Sequence, residues 1–406
     1  LVLGGADRIA LPVDEDDRED PSIEDVDASG WRAVAGVRWR RLLGRGVSTV
    51  SLAHAAQDFH TDVREPRLGG RLAFRNRSHE GETTLRWDLV WQFGALGDLR
   101  TGASVKRFDA AQRLAQPFGD LSAFSPSAAP GAPVDVRRDV VTTIAALHAQ
   151  LARTILVGER ALDLTVGARV DRFAGVAAGD AAARGRVRLS PRAGGALHVT
   201  PTVTASASFG RFHQQVPLVH AVAAPGNATL APMRADHWVT GLAWTPRPDL
   251  RVSVEGYAKR YADTPVAVPF PELALAHLGD LSGPDALLFA MASRGTGYAR
   301  GVELFVQQRL AGGLYGQASY AYARTAHRAL DGRWRRGGFD VPHTGTLIAG
   351  WVPGPRWELS TRASFASGRP FTPMLTEASA AQNRLVLDLG RVNAVRAPAY
   401  GRLDVR

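Results

Sequence analysis

Apolar and polar side chains alternate along many segments of this chain. From Thr84 to Phe93 the odd positions are apolar and the even positions are mostly polar or charged. The segments Ala161–Asp171 and Trp357–Ala366 alternate in the same way. Because successive side chains of a strand point to opposite faces, the pattern predicts strands with one apolar and one polar face. A soluble sheet with one solvated face has the same pattern, so alternation by itself does not separate the two classes.

The connections between the predicted strands are alternately short and long. The short ones carry turn residues, as in Ala311–Gly313 and Pro353–Pro355, whereas Asp109–Val140 and Ala262–Gly297 are long. The fifteen predicted strands are Trp31–Arg41, Val47–Phe59, Thr83–Phe93, Leu99–Phe108, Val141–Arg153, Arg160–Asp171, Gly185–Val199, Thr202–His213, Asp236–Thr245, Leu250–Tyr261, Tyr298–Arg309, Leu314–Thr325, His343–Val352, Trp357–Ser367 and a last one from Ala399. Short turns at one end and long connections at the other are typical of an up-and-down transmembrane β-barrel. A sandwich or Greek key has no reason to keep that order.

Composition narrows the functional classes. The net charge of +10 comes almost wholly from arginine, since Lys106 and Lys259 are the only lysines. The arginines are spread over many strands rather than concentrated on one patch, which disfavours nucleic-acid binding. Without Cys, and without a Gly-x-Ser-x-Gly motif, the sequence predicts no enzyme and no cofactor. The longest apolar stretch, Ala286–Ala292, is far shorter than the roughly 20 residues of a transmembrane helix.

No metal site is predicted either. The acidic run Asp14–Asp20 lacks the glycine of a calcium-binding loop and is interpreted as a solvated loop. The histidines have no spacing typical of zinc ligands.

Several motifs, taken in order, resemble the β-barrel of TonB-dependent outer-membrane receptors. They are Ser190–Arg192, Ser208–Gln214, Gly301–Gln307, Ala318–Tyr322, Phe339–His343, Ser367–Pro373 and Pro398–Arg406. The resemblance spans most of Trp31–Arg406 and implies a 22-stranded barrel, occluded by an N-terminal plug, in the outer membrane of a Gram-negative bacterium. The expected fold class is therefore all-β, with residues 1–406 forming one incomplete barrel of about fifteen strands. The plug and the first strands are expected to be missing from the sequence.

The resemblance also implies function and partners. The protein is expected to import a scarce ligand with energy from the TonB complex, which it would contact through the missing plug. The ligand is not identified; siderophore-like iron chelates, cobalamin, sugars and peptides all remain open. Outer-membrane lipid and lipopolysaccharide are the other expected partners. A passive porin-like or other large outer-membrane barrel is the alternative, and a soluble β-rich enzyme or binding module is a third class.

Truncation leads to a structural prediction. Strands cut from a larger barrel leave two unpaired edges, so the first and last strands are expected not to pair with each other.

Candidate ligand-binding residues come from the polar faces and from the longest connection. Charged side chains inside a barrel either face water and ligand or pair with a plug. The candidates on strands are Arg86, Asp88, Arg169, Asp171, Arg211 and Glu303. Phe289 is a further candidate, within a predicted short helix from Asp285 to Met291 that is N-capped by Asp285. The alternative for that helix is that it only packs the connection.

Overall fold

The computed structural model describes residues 2–12, 25–65, 69–117, 124, 133–175, 177–178, 181–182, 185–278, 289–382 and 385–406. Sixteen long antiparallel strands follow one another in the described chain, each paired with its neighbours in sequence. They are β1 (Val2–Leu11), β2 (Asp25–Leu43), β3 (Gly46–Glu65), β4 (Arg71–Gln92), β5 (Asp98–Gln116), β6 (Val134–Val157), β7 (Arg160–Phe173), β10 (Arg186–Thr200), β11 (Val203–Gln214), β12 (Met233–Arg247), β13 (Leu250–Ala267), β14 (Met291–Ala311), β15 (Leu314–Arg328), β17 (His343–Gly354), β18 (Trp357–Ala366) and β21 (Tyr400–Val405). This confirms the predicted up-and-down order.

Short elements occupy the connections. The short strands are β8 (Ala177–Ala178), β9 (Ala181–Ala182), β16 (Trp334–Arg336), β19 (Pro370–Phe371) and β20 (Val395–Arg396). The α-helices are α1 (Leu218–Ala223) and α2 (Thr376–Gln382), and 3₁₀ turns cover Gly94–Leu96, Pro225–Thr229, Leu275–His277 and Leu389–Arg391. Within the described ranges, no helix has the length and apolar character needed to cross a membrane.

The two ends of the sheet do not meet. Among the described strands, β1 pairs only with β2 and β21 pairs only with β18. The expected open arrangement is thus confirmed, but the count of fifteen strands was one too low. The missing strand is Val2–Leu11, which pairs with β2 along its whole length. Its two adjacent glycines and its Asp7–Arg8 step remove the alternation by which the other strands were recognised.

Several strands are also longer than predicted, and the largest extensions are at the end that bears the long connections. Residues 71–82 extend β4 and residues 134–140 extend β6, and both extensions stay paired with their neighbours, with one register shift between β3 and β4 at Val63 and Arg64. Polar side chains fall on both faces of residues 71–82, so alternation disappears there although backbone pairing continues.

The two faces of the sheet differ as the alternation predicts. The apolar face carries large exposed side chains, among them Leu52, Leu85, Leu147, Val166, Leu189, Leu242, Val302, Leu347 and Leu359. The opposite, polar face carries ion pairs such as Arg86–Asp88, Lys106–Glu82 and Arg169–Asp171, and long connections fold onto it. Helix α1 contacts β5 and β6 there, and Val219 packs against a buried cluster formed by Val63, Phe74, Leu114 and Val136. The buried core therefore lies where the connections meet the polar face.

The short turns depend on glycine at a few positions. Gly312 and Gly313, between β14 and β15, have φ values of 59° and 77°. A two-residue hairpin turn with positive φ at both positions favours glycine, as the sequence predicts for Ala311–Gly313. A Cβ on Gly313 would also lie 2.7 Å from the carbonyl oxygen of Val352.

Candidate functional site

Four of the predicted site residues lie together on the polar face of β4–β10. The strand registers align Asp88, Gly102, His148, Arg169 and Ser190 in one row across five strands. The adjacent row contains Arg86, Ser104, Ala146, Asp171 and Arg188. Neighbouring strands are about 4.8 Å apart, so β4 and β7 are separated by roughly 14 Å. That span fits a small ligand.

Within these rows the charges are arranged as neighbouring pairs. Arg86 donates two hydrogen bonds to Asp88, from Nε at 2.6 Å and from Nη2 at 2.7 Å. Arg169 Nε lies 2.8 Å from Asp171 Oδ1, and Asp171 is buried with only 6% of its surface exposed. His148 Nε2 is 3.9 Å from Asp88. Planar guanidinium and carboxylate groups held in this way present a fixed pattern of donors and acceptors.

A cavity lies directly beside the two rows, toward the long connections. It has a volume of about 580 Å³ and is lined by Lys106, Arg169, Asp171, Phe173 and His213 together with residues 214–219. Lys106 Nζ is 2.8 Å from Glu82 Oε1. His213 Nδ1 is 3.0 Å from the hydroxyl of Ser190. The connection after β11 therefore covers a mixed-charge surface and leaves a space of ligand size beneath it.

The buried side-chain amide of Asn227 links the connections that cover this region. Asn227, 1% exposed, donates to the carbonyl oxygens of His220 at 2.8 Å and Phe289 at 3.0 Å. Its Oδ1 accepts the Met291 N–H at 2.8 Å. Burial within the same connection lowers the pKa of His220. The connection between β11 and β12 is thus joined to the one that leads into β14.

The other three predicted site residues lie elsewhere. Arg211 was expected in the lumen, but its register partner is Asp236, on the face that carries Phe209 and Trp238, which is the apolar face. Its guanidinium holds the Asp236 carboxylate at 2.6 and 3.0 Å. Phenylalanines at both 209 and 212 left the assignment of faces ambiguous in the sequence.

Glu303 lies on the polar face, but on β14. Its register partner on β13 is Glu255, so two carboxylates are neighbours there. It belongs to a different part of the wall from the rows on β4–β10.

Phe289 packs inside the connections. Its ring meets Phe270 edge-on, with ring centroids 5.5 Å apart, beside the cluster that contains Leu273 and Met291. Residues 285–288 of the predicted helix lie outside the described residues, and Met291 begins strand β14 rather than ending a helix.

Sequence reasoning missed the residues that complete the cavity. Glu80 precedes the predicted start of its strand, and residues 214–219 belong to a connection for which no structure was predicted. Polar side chains fall on both faces around Glu80, so alternation does not identify it either. Nothing local in the sequence indicates that Val219 packs against β4–β6. In the described part of the chain, no cluster of three or more His, Asp or Glu residues is close enough to hold a metal ion.

Comparisons with known proteins match this architecture. The family model described as TonB dependent receptor-like, beta-barrel, matches residues 14–406. Among solved structures, the siderophore receptor PiuA from Acinetobacter baumannii has a TM-score of 0.62 and 15% identity over 94% of this chain and 58% of that chain. The pyoverdine outer membrane receptor FpvA from Pseudomonas aeruginosa PAO1 has a TM-score of 0.63 and 15% identity over 94% of this chain and 55% of that chain.

The copper transporter OprC gives a TM-score of 0.63 and 14% identity over 100% of this chain and 63% of that chain. At these identities the likeness shows the fold alone. The chain spans between about half and two-thirds of the length of these proteins. No curated protein matches the chain.

Proposed function

The chain belongs to the TonB-dependent receptor β-barrel family, and on that premise we propose that it forms part of the wall of an outer-membrane receptor that imports a scarce small ligand. In this arrangement the apolar face meets lipid and the polar face lines the lumen. The plug and the TonB complex are proposed partners of the whole protein.

The observation that carries the proposal is the covered cavity on the polar face. A passive channel needs an open polar lumen, whereas here residues 214–219 fold over Lys106, Arg169 and Asp171 and leave about 580 Å³. Burial of Asp171 beside Arg169 gives a ligand one carboxylate and one guanidinium in fixed positions. Such a site favours selective binding over free diffusion.

A metal chelate is the ligand class that we propose. The names of the similar structures refer to a siderophore, to pyoverdine and to copper. Both signs of charge lie within the two rows, which suits a chelate that carries anionic and hydrogen-bonding groups together.

Uptake by cells that express the full-length protein tests the proposal. The probes are ⁵⁵Fe-loaded hydroxamate and catecholate siderophores, with radiolabelled copper and cobalamin as further arms. Asp171→Asn is expected to lower uptake of the transported probe by about tenfold, equivalent to about 1.4 kcal/mol of lost binding. The matched control is Arg172→Gln on the adjacent residue, which the register places on the apolar face opposite Val187. It should leave uptake within about twofold of wild type, because it lies outside the lumen.

Deleting TonB distinguishes an energy-coupled receptor from a porin. The proposal predicts that uptake stops, whereas uptake that persists without TonB would favour the passive barrel. Equal uptake by Asp171→Asn and wild type would contradict the assignment of the cavity.

A further inference from the structure

An arginine–aromatic patch lies on the apolar face, at the end that bears the long connections. It surrounds a groove of about 800 Å³. The side chains of the patch are Arg234, Arg260, Arg300 and Arg328 together with Trp238, Tyr298 and Trp334.

The strand registers place the patch on the same face as exposed apolar side chains. Arg260 is opposite Tyr298, and further along the same two strands Val254 is opposite Leu304. On β13, Arg260 and Val254 are an even number of residues apart, and on β14 so are Tyr298 and Leu304. Side chains spaced in this way point to the same face of a sheet, so all four lie on one face. Under the proposed function this face meets lipid, and a group of arginines on it needs an explanation.

Three of the arginines lie within cation–π distance of an aromatic ring. The guanidinium of Arg260 lies 5.6 Å from the ring centroid of Trp238, and that of Arg300 lies 5.4 Å from Tyr298. Arg328 lies 5.5 Å from the ring of Trp334, whose centroid is 5.2 Å from that of Tyr298. The rings attract the guanidinium groups, whose N–H groups can donate hydrogen bonds to a ligand.

The positive charge of the patch is largely uncompensated. Among the described residues, Asp236 is the only carboxylate that lines the groove, and Arg211 already holds both of its oxygens. In the described part of the chain, no carboxylate lies within 4.0 Å of Arg260, Arg300 or Arg328.

Another sector of the same face neutralises itself. At the corresponding end of β3 and β4, Asp62 pairs with both Arg75 and Arg77, at 3.1 and 2.9 Å. On β5 and β6, Arg113 pairs with Asp139 at 2.5 Å. The arginines of the patch on β13–β15 therefore differ from these arginines of β4 and β5, which are paired with carboxylates.

The height of the patch fits the outer boundary of the hydrocarbon. Leu250 begins β13 at the short-turn end, and Ala258 is the last small apolar residue on that face before Arg260. At about 3.4 Å per residue and a tilt of about 40°, this apolar stretch rises roughly 20 Å, close to the ~25 Å apolar band of such barrels. Aromatic side chains are typical of this interface.

We propose that the patch binds the phosphate groups of a phosphorylated glycolipid of the outer leaflet, the chemical class of lipopolysaccharide. The inference rests on the proposed membrane position of the barrel. Arginine edges would hold phosphate oxygens by paired hydrogen bonds, and the indole and phenol rings would pack against the sugar and the first acyl carbons. The groove lies at the height at which the phosphates of such a lipid reside.

Native mass spectrometry of the full-length protein in detergent tests the proposal. The probes are bis-phosphorylated lipid A, the same lipid without phosphates, and phosphatidylglycerol. The patch variant combines Arg260→Gln, Arg300→Gln and Arg328→Gln. The control variant combines Arg75→Gln, Arg77→Gln and Arg113→Gln, which removes the same charge from the same end and face. Loss of exposed ion pairs costs little stability, so the control variant should fold.

Wild-type protein should retain lipid A at about tenfold lower concentration than the dephosphorylated lipid, and the patch variant should lose that preference. The control variant should stay within about twofold of wild type. Equal binding by patch variant and wild type would overturn the proposal, as would equal retention of both forms of lipid A. Loss of a protein dimer from the patch variant, with lipid binding unchanged, would also overturn it and assign the surface to protein contact.

Failure of the proposed function would give a different result. A chain that is not a membrane barrel would carry no lipid of any kind. A barrel without this site would keep its phospholipid adducts and show no preference for phosphate.

Discussion

Replacing Asn227 by Asp is expected to release the connections that cover the polar face. The buried amide donates to the carbonyl oxygens of His220 and Phe289 and accepts the N–H of Met291. Aspartate has nearly the same shape but no donor, so its oxygens would face the two carbonyl oxygens while the bond to Met291 could persist.

The magnitude follows from the two lost donors. Each carbonyl left without a partner in a buried site costs about 1–3 kcal/mol, so the closed arrangement should lose roughly 3 kcal/mol or more. At about 1.4 kcal/mol per factor of ten, the population in which the connections are open should rise about a hundredfold.

The absence of cysteine from the sequence gives a clean assay. A single Cys at Ala221, 3% exposed in α1, reports opening through its rate of labelling by a charged maleimide. Asn227→Asp should raise that rate about a hundredfold. The control Thr229→Val removes an exposed, local bond to Gly226 and should change the rate by less than about threefold. A rate for Asn227→Asp within threefold of wild type would refute the role assigned to the amide.

Two further predictions concern pH and a turn. Burial, with His327 beside it, lowers the pKa of His277 to about 4, from 6.5 for the free side chain. Because the folded pKa is the lower one, stability is unaffected above about pH 6.5 and falls by roughly 3 kcal/mol in total as pH drops toward 4. Proteolysis of residues 268–278 should accelerate over that range in wild type and less in His277→Gln, in which the buried His327 remains, and an equal pH response in both would contradict the assignment. Gly313→Ala should lower the urea midpoint of unfolding, because φ is positive and a Cβ would approach a carbonyl oxygen at 2.7 Å. Gly401→Ala, where nothing lies within 4 Å of the new Cβ, is its control and should have no comparable effect.

The sequence predicts the alternating parts of the strands better than their extensions. Alternation persists along β7, so its end was predicted closely: the predicted last residue is Asp171 and the observed one is Phe173. β13 was predicted to end at Tyr261, because a register shift around Asp263, at φ 56°, interrupts the alternation. The pairing continues beyond this shift. An irregularity of this kind leaves the strand paired but breaks the alternation of period two, so the sequence pattern does not show that the strand continues.

The candidate site was also predicted in part: its residues on strands were identified, and the connection that covers them was not. Arg169 and Asp171 were identified because alternation fixes their face and the register then brings Arg86 and Asp88 to the same rows. The cover over them was not identified, because its position depends on packing between residues distant in sequence, such as Val219 against Val63 and its neighbours. Local patterns carry no information about such contacts.

The central claim is that one face of this sheet meets lipid and the other lines an aqueous lumen. Single spin labels placed at successive positions of β7 from Asp163 to Arg169, in the full-length protein reconstituted in bilayers, test it most directly. Accessibility to oxygen should peak at positions 164, 166 and 168, and accessibility to a water-soluble nickel chelate should peak at 163, 165, 167 and 169. Accessibilities that do not alternate, or a nickel chelate that reaches Leu164 and Val166 as readily as Thr165, would contradict it.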